Sequence, residues 1–180
     1  MTMKFVMIYR ASGVGKESVA RELAARNGWK LFPQHLAFDI ACAVVGFGNA
    51  GFEKYQRKIC LEAFRTIIET QKDKGIVFTF CYVNPASNFF IEGLLDLLDK
   101  FSVSADFIYL SCDYDEHLRR VLSDGRKNTN KLQSKEYLDK YLKKFDFSAT
   151  IPNVESFRLN TSNLTIEQSA TEIECYLKNK

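Results

Sequence analysis

One short stretch near the N-terminus constrains the fold of this chain more than any other. An apolar run at residues 4–9 predicts a buried strand, and apolar residues at helical spacing follow from Val19 onward. Between them lies the glycine-containing segment 10–18. A strand, a glycine-containing loop and a helix, in that order, are typical of a loop that binds phosphate groups. Gly28 is the predicted end of the helix.

The residue types of this loop suit a chain of phosphate groups. Glycine allows the backbone to approach closely and to take positive φ, so that N–H groups can surround an anion. The first turn of the helix adds further donors. Lys16 places a cation beside the β- and γ-phosphates. The predicted nucleotide-binding residues of the loop are Ser12, Gly13, Val14, Gly15, Lys16, Glu17 and Ser18.

The loop departs at two positions from the pattern G-x-x-x-x-G-K-[ST]. Arg10 stands at the first glycine position, and Glu17 stands at the Ser/Thr position. The first change is tolerable, because that residue ends the strand and mainly sets the turn. A carboxylate at Glu17 would repel bound phosphate unless it faces away or holds a cation. Ser18 offers a hydroxyl one position later, to phosphate or to hydrated magnesium. The alternative interpretation is a simple strand-to-helix turn with a surface lysine.

Composition indicates one domain, 1–180, with an ordinary core. The 180 residues are 46% hydrophobic and 26% charged, which is usual for a globular protein. A net charge of +3 does not favour nucleic-acid or membrane binding. No run has the length of a membrane span and no signal pattern opens the chain, so we expect a cytoplasmic monomer or homodimer. The five widely spaced cysteines predict buried free thiols rather than a zinc site or disulfides.

Strands and helices alternate along the rest of the chain. This order predicts an α/β fold of three layers, with a five-stranded parallel sheet between helices and with ligands beyond the carboxyl ends of the strands. Thr165 with Gln168 predicts a capping box, and Asp113 with Glu116 predicts a second helix cap. We interpret His117 as a surface group. The further predicted strands cover 29–32, 76–83, 105–111 and 156–159.

These motifs resemble those of the small P-loop kinases of the shikimate-kinase and adenylate-kinase type. They are more similar still to a branch labelled AAA-family ATPase or shikimate-kinase-like. The branch's Gly-Pro-Pro-x-x-Gly-Lys-Leu-Thr-Val-Ala loop corresponds to residues 10–20. Its Leu-Phe-x-Asn-His-Leu-x-x-Asp corresponds to 31–39, and its Phe-Thr-Phe-x-Tyr-x-Asn-Pro to 78–85. The resemblance implies the P-loop nucleoside triphosphate hydrolase fold, ATP and Mg²⁺ as cofactors, and a small-molecule acceptor.

The resemblance also implies roles for residues that bind the acceptor. Asp39 lies beyond the second strand, where related kinases orient the acceptor hydroxyl, and it could be a general base; the alternative is an exposed acid on a helix. His35, on a loop after that strand, would bind the acceptor or serve a structural role. Arg57, on the long third helix, would clamp the acceptor or be an ordinary surface arginine.

Further implied roles fall on the second half of the chain. A basic lid at about 123–134 carries Arg126, which would close over the transferring phosphoryl group; the alternative is a solvated loop. Arg119, in the preceding helix, is a predicted nucleotide-binding residue, and Arg119 and Arg120 are alternatives to Arg126. Residues 160–163 resemble a loop that holds adenine. The strand at 76–83 ends without an acid, so Ser18 is the predicted metal ligand, with Glu17 as a further candidate.

The predicted function is therefore an ATP-dependent phosphotransferase acting on a hydroxyl or phosphate of a small metabolite. Lys16, Asp39 and Arg126 are its predicted catalytic residues. A second hypothesis is a nucleotide-binding protein with a degenerate P-loop and no kinase activity, which Arg10, Glu17 and the missing acid motivate. A kinase acting on nucleic-acid ends is a third hypothesis, which the modest charge disfavours.

Overall fold

A computed structural model describes residues 3–71, 74–123 and 132–180. Within them the chain alternates between strands and helices. The strands are β1 (Lys4–Tyr9), β2 (Lys30–Pro33), β3 (Ile76–Phe80), β4 (Ser104–Ser111) and β5 (Ser156–Asn160). The helices are α1 (Lys16–Asn27), α2 (Gln34–Val44), α3 (Phe52–Thr70), α4 (Asn88–Lys100), α5 (Tyr114–Val121), α6 (Lys135–Lys144) and α7 (Ile166–Lys178).

The strands form one parallel sheet in the order β2-β3-β1-β4-β5. This confirms the predicted α/β fold with five parallel strands. Alternate residues of β1 enter two separate cores, because successive side chains of a strand point to opposite faces. Phe5, Met7 and Tyr9 pack with residues of α3 and α4. Val6 and Ile8 pack with residues of α1 and α7, so helices cover both faces of the sheet.

The ends of the helices follow the sequence signals in some places and not in others. α1 ends at Asn27, and its C-cap Gly28 has the left-handed φ of 64° that the prediction requires. The capping box of Thr165 and Gln168 is present at α7 and confirms that prediction. The predicted side-chain cap at Asp113 is wrong. Its carboxylate instead accepts a hydrogen bond from Asn160, 3.0 Å away, and Glu116 binds two arginines.

Helix α2 starts sooner than the sequence suggested. Residues 34–39 read as a loop leading into a helix, but the helix begins at Gln34 directly after β2. Pro33 is its first flanking residue and has an extended conformation, with φ −78° and ψ 138°. His35 therefore lies in the first helical turn rather than on a loop.

The cysteines are free thiols throughout the chain. Cys60 and Cys112 are buried as expected, and burial raises the pKa of Cys60 to about 12, which makes that thiol unreactive. The expectation of burial is wrong for the other three, because Cys42 and Cys81 are half-buried and Cys175 is exposed on α7. Of the helices in the described ranges, none has the length and apolar character needed to cross a bilayer.

Candidate functional site

The loop between β1 and α1 has the backbone geometry of an anion-binding nest. Gly13 has φ +97° and Gly15 has φ +98°, a region that glycine reaches at little cost. Gly15 is also the N-cap of α1 and provides no capping side chain. The amides of Gly13, Val14 and Gly15 donate no hydrogen bond to any other residue that the structure describes. Successive N–H groups in such a conformation form a concave surface that attracts anions.

The carbonyl groups of the same loop are bound from outside. Ser12 O contacts His117 Nε2 at 2.8 Å, and Val14 O accepts from Arg120 Nη1 at 2.6 Å. The C=O of one residue and the N–H of the next point in opposite directions across a planar trans peptide. The N–H groups of Gly13 and Gly15 therefore point away from α5. Helix α5 holds the loop with its donors turned outward.

The lysine of the loop lies across the nest. Lys16 Nζ donates to Ala11 O at 2.6 Å, which keeps the ammonium group close to the loop backbone. Ser18, two residues further on, is exposed in the first turn of α1. The predicted loop residues 12–18 thus form one continuous structure with a cation and an exposed hydroxyl at its helical end.

His117 is a residue that the sequence interpretation placed wrongly. It was interpreted as a surface group, but it is only 3% exposed and packs under Gly13. A β-carbon at Gly13 would come within 2.8 Å of both His117 Nε2 and Val121 Cγ2. Imidazole is buried here because the loop carbonyl of Ser12 supplies a polar partner. Nothing in the local sequence of α5 announces that partner, which is 105 positions away.

Arg120 joins the loop to the segment that follows β5. Besides Val14 O, its guanidinium donates to Thr161 Oγ1 at 2.9 Å and to Thr161 O at 2.8 Å. Its Nε donates to Glu116 Oε1 at 2.6 Å. Planar guanidinium groups suit this kind of multiple contact, because their five donors have a fixed geometry. Arg120 therefore fixes the nest relative to the 160–163 loop predicted to hold adenine.

Arg119, the predicted nucleotide-binding arginine, lies further out. Its side chain is 73% exposed and binds Glu116 through two hydrogen bonds of 2.6 and 2.7 Å. These bonds, followed by that from Arg120, hold the pKa of Glu116 at about 2, although partial burial opposes the shift. The role of Arg119 in nucleotide binding stays a prediction. The arginine that contacts the phosphate-binding loop is its neighbour Arg120.

Glu17 does not direct its charge at the nest alone. One carboxylate oxygen lies 3.1 Å from Arg21 Nη2, one turn along α1, and the other lies 3.5 Å from His35 Nδ1 of α2. The cationic partner reduces the repulsion that a phosphate would otherwise feel. The contact with His35 also links α1 to α2, which carries His35 and Asp39, two of the predicted acceptor-binding residues.

Arg10 adopts a conformation that explains why glycine is usual at the first position of such loops. Its φ is +144°, outside the range that side-chain-bearing residues normally occupy. Its side chain turns away from the nest: Nε donates to Phe147 O at 3.4 Å, and the guanidinium lies over the ring of Tyr109. Arg10 therefore does not fill the nest in place of a phosphate.

The predicted acceptor residues are spread over two helices. Asp39 is exposed on α2 and forms no hydrogen bond or ion pair with another described residue. Arg57 on α3 donates to Ala86 O at 2.7 Å and binds Glu53 at 3.2 Å. The guanidinium thus supports the loop after β3, and any contact with an acceptor would be additional to these bonds.

Tyr141 is a residue near the nest that the sequence did not single out as functional. It lies on α6, and its hydroxyl accepts from Ser12 N at 3.2 Å and contacts Cys81 Sγ at 2.8 Å. Burial and, to a lesser degree, the adjacent thiol raise the pKa of Tyr141, so the phenol stays protonated. The sequence showed only an apolar helical pattern here.

The predicted lid residue Arg126 lies outside the described residues.

No protein-family profile matches the sequence, and no curated protein is significantly similar to it. Solved structures do match along nearly the whole chain. A sugar kinase from Janibacter sp. superposes with a TM-score of 0.68 at 14% identity, covering 98% of this chain and 95% of that one. A shikimate kinase from Bacteroides thetaiotaomicron gives 0.61 at 15%, covering 98% and 99%.

The APS kinase of Mycobacterium tuberculosis, solved with AMPPNP and APS, gives a TM-score of 0.59 at 16% identity, and the match covers 98% of both chains. These identities are low, and what the superpositions establish is the architecture. The superpositions agree with the sheet order and with the nest between β1 and α1 on the same architecture. The chain has the fold of the P-loop small-molecule kinases.

Proposed function

We propose that this protein is an ATP-dependent phosphotransferase that moves the γ-phosphate to a hydroxyl or phosphate of a small metabolite. The observation that carries the proposal is the pair of outward-facing amides at Gly13 and Gly15 beside the Lys16 ammonium. Phosphoryl transfer needs positioning and neutralisation of spread negative charge, and these groups provide both. The kinase names of the structural neighbours support the same type of reaction.

In this proposal the triphosphate lies on residues 13–18 and the base lies near 160–163. Arg120 connects the two regions and would keep their separation constant. Mg²⁺ bound with ATP would supply neutralisation of the phosphate charge. Ser18 fits as its protein ligand, since its hydroxyl is exposed beside the nest. The described residues contain no cluster of three or more His, Cys, Asp or Glu side chains that could hold an ion alone.

The acceptor would lie beyond β2, near the start of α2. Asp39 is available there as a general base for an acceptor hydroxyl, because no described residue occupies its carboxylate. His35 would bind the acceptor or serve a structural role through its contact with Glu17, 3.5 Å away. Arg57 would support this region, and Arg126 would close over the phosphoryl group.

The second candidate is a nucleotide-binding protein that does not transfer phosphate. Two observations favour it. Glu17 occupies the position at which such loops carry a magnesium-binding hydroxyl, and its carboxylate pairs with Arg21. At the end of β3, Phe80 and Cys81 stand where an acid would help to place the ion.

ATP turnover in the presence of pooled metabolites separates the two candidates. We expect phosphorylation of at least one hydroxyl- or phosphate-bearing pool, detected by mass spectrometry. Asp39→Asn should reduce that turnover by about 100-fold or more, the usual contribution of a general base. Asp96→Asn is the matched control, because Asp96 is an exposed acid on α4. Tight ATP binding without turnover of any pool would support the second candidate, and transfer to oligonucleotides alone would support a nucleic-acid kinase.

A further inference from the structure

The arginines of this protein divide into two groups by their partners. Arg10 and Arg158 pair with no carboxylate among the residues that the structure describes. The other described arginines each lie within 4.0 Å of a glutamate oxygen: Arg21, Arg26, Arg57, Arg65, Arg119 and Arg120.

The two arginines without a carboxylate lie against the same aromatic ring. The Cζ atoms of Arg10 and Arg158 are each 5.1 Å from the centroid of Tyr109. Tyr109 is directly opposite Tyr9 on one side and Arg158 on the other in the sheet register. Arg10 directly follows Tyr9. The side chains of Arg10, Tyr109 and Arg158 therefore meet at the level where β1 ends and the phosphate-binding loop begins.

The ring and one of the cations are fixed by a shared acceptor. Phe147 O accepts from Tyr109 Oη at 3.2 Å and from Arg10 Nε at 3.4 Å. The terminal nitrogens of Arg10 and the whole guanidinium of Arg158 form no hydrogen bond with another described residue. Arg158 is exposed, and no buried side-chain nitrogen or oxygen of the half-buried and buried residues in the described ranges lacks a partner, so these donors face solvent.

Two guanidinium groups lie on one ring, and no carboxylate of the described residues forms an ion pair with either of them. Stacking on an aromatic face stabilises each cation, but it does not neutralise the charge. An oxyanion would neutralise it, and guanidinium donors match the geometry of carboxylate, sulfate and phosphate oxygens. Arg10 is also the first residue of the loop segment 10–18, so a ligand there would lie near the phosphate-binding loop.

We propose that Arg10, Tyr109 and Arg158 form a second oxyanion site, separate from the nest, which binds a phosphate, sulfate or carboxylate group of a small-molecule ligand. A neutral ligand would leave the two guanidinium groups without a partner.

Inorganic phosphate tests this site without knowledge of the acceptor. Titration calorimetry and ³¹P NMR at low ionic strength should show two binding sites on the full chain. Lys16→Ala should remove the nest site and leave the second. Arg158→Ala should weaken only the second site, by about tenfold or more, as expected for loss of a charge-assisted contact. Arg65→Ala, which removes an exposed arginine of α3, is the matched control and should change neither site.

The outcomes separate this inference from the proposed function. A single phosphate site that Lys16→Ala abolishes and Arg158→Ala leaves intact would overturn the second site and leave the nest in place. A single site that depends on Arg158 and not on Lys16 would support the second site and overturn the proposed function. Equal weakening by Arg158→Ala and Arg65→Ala would show a non-specific charge effect and also overturn the inference. Sulfate and acetate should compete for the second site in the Lys16→Ala protein.

Discussion

Replacement of Gly13 by alanine probes the contact between the phosphate-binding loop and α5. A β-carbon at Gly13 would lie 2.8 Å from His117 Nε2 and 2.8 Å from Val121 Cγ2. His117 cannot withdraw freely, because its Nε2 contacts Ser12 O at 2.8 Å, and Val121 is fully packed with 1% exposure. The backbone adds a second penalty, since φ is +97° at this position.

The size of the effect follows from these two terms. A left-handed conformation costs an alanine about 1–2 kcal/mol. Insertion of a methyl group into a packed contact costs about 1–3 kcal/mol more. We therefore expect Gly13→Ala to lower the free energy of unfolding by about 2–5 kcal/mol. Gly28→Ala is the matched control, because Gly28 has φ +64° and no heavy atom within 4 Å of the added carbon. It should lose about 1 kcal/mol, from backbone strain alone.

Urea denaturation of both variants measures the difference, with the slope checked for two-state behaviour. Val121→Ala should partly rescue Gly13→Ala, because it removes one of the two close contacts. The double variant should then lose less than the sum of the two single losses. Equal losses for Gly13→Ala and Gly28→Ala, or strict additivity with Val121→Ala, would refute the packing of α5 against the loop.

Three further predictions concern α5 and α7. Arg120→Ala should destabilise the fold by about 2–4 kcal/mol, because its charged hydrogen bonds to Val14 and Thr161 are lost. Arg119→Ala should leave the urea midpoint nearly unchanged, because that side chain is 73% exposed. Similar midpoints for the two variants would contradict the bridging role of Arg120. The pKa of Glu116 is lowered to about 2 in the folded state, so its stabilising contribution is present above the ordinary pKa of 4.5 and is lost as pH falls toward 2. Glu116→Gln should therefore flatten this part of the acid-unfolding curve. An unchanged curve would show that the ion pairs of Glu116 are not formed. Thr165→Ala should cost about 1 kcal/mol through loss of the α7 cap, measured by thermal unfolding against Thr66→Ala on the exposed side of α3.

The sequence predicted those parts of the molecule that depend on local patterns. The strand, the loop with Gly13 and Gly15 and the helix ending at Gly28 are all present, because turn geometry and periodicity are local properties. The parallel sheet follows from the alternation of strands and helices. The capping box of α7 is likewise a pattern of four adjacent residues.

The sequence did not predict contacts that join distant segments. His117 is buried because its imidazole meets Ser12 O, 105 positions away, and no helical pattern within α5 reveals such a partner. Arg120 and Tyr141 reach the loop in the same manner, over 106 and 129 positions. The pattern of α5 contained two adjacent arginines, and only the packing of the helix decides which of them faces the loop. The orientation of the Glu17 carboxylate likewise depends on a contact with His35, which lies on another helix.

The account depends most on the ability of the nest to hold a triphosphate. Lys16→Ala should weaken MgATP binding by about 10- to 100-fold, because a charge-assisted contact is worth about 1.5–3 kcal/mol. Circular dichroism should confirm that the variant is folded. Lys178→Ala, at the exposed last turn of α7, is the matched control and should bind MgATP like the unaltered protein. Calorimetric titration gives both affinities directly. An affinity for MgATP that is the same in Lys16→Ala, Lys178→Ala and the unaltered protein would contradict the central claim.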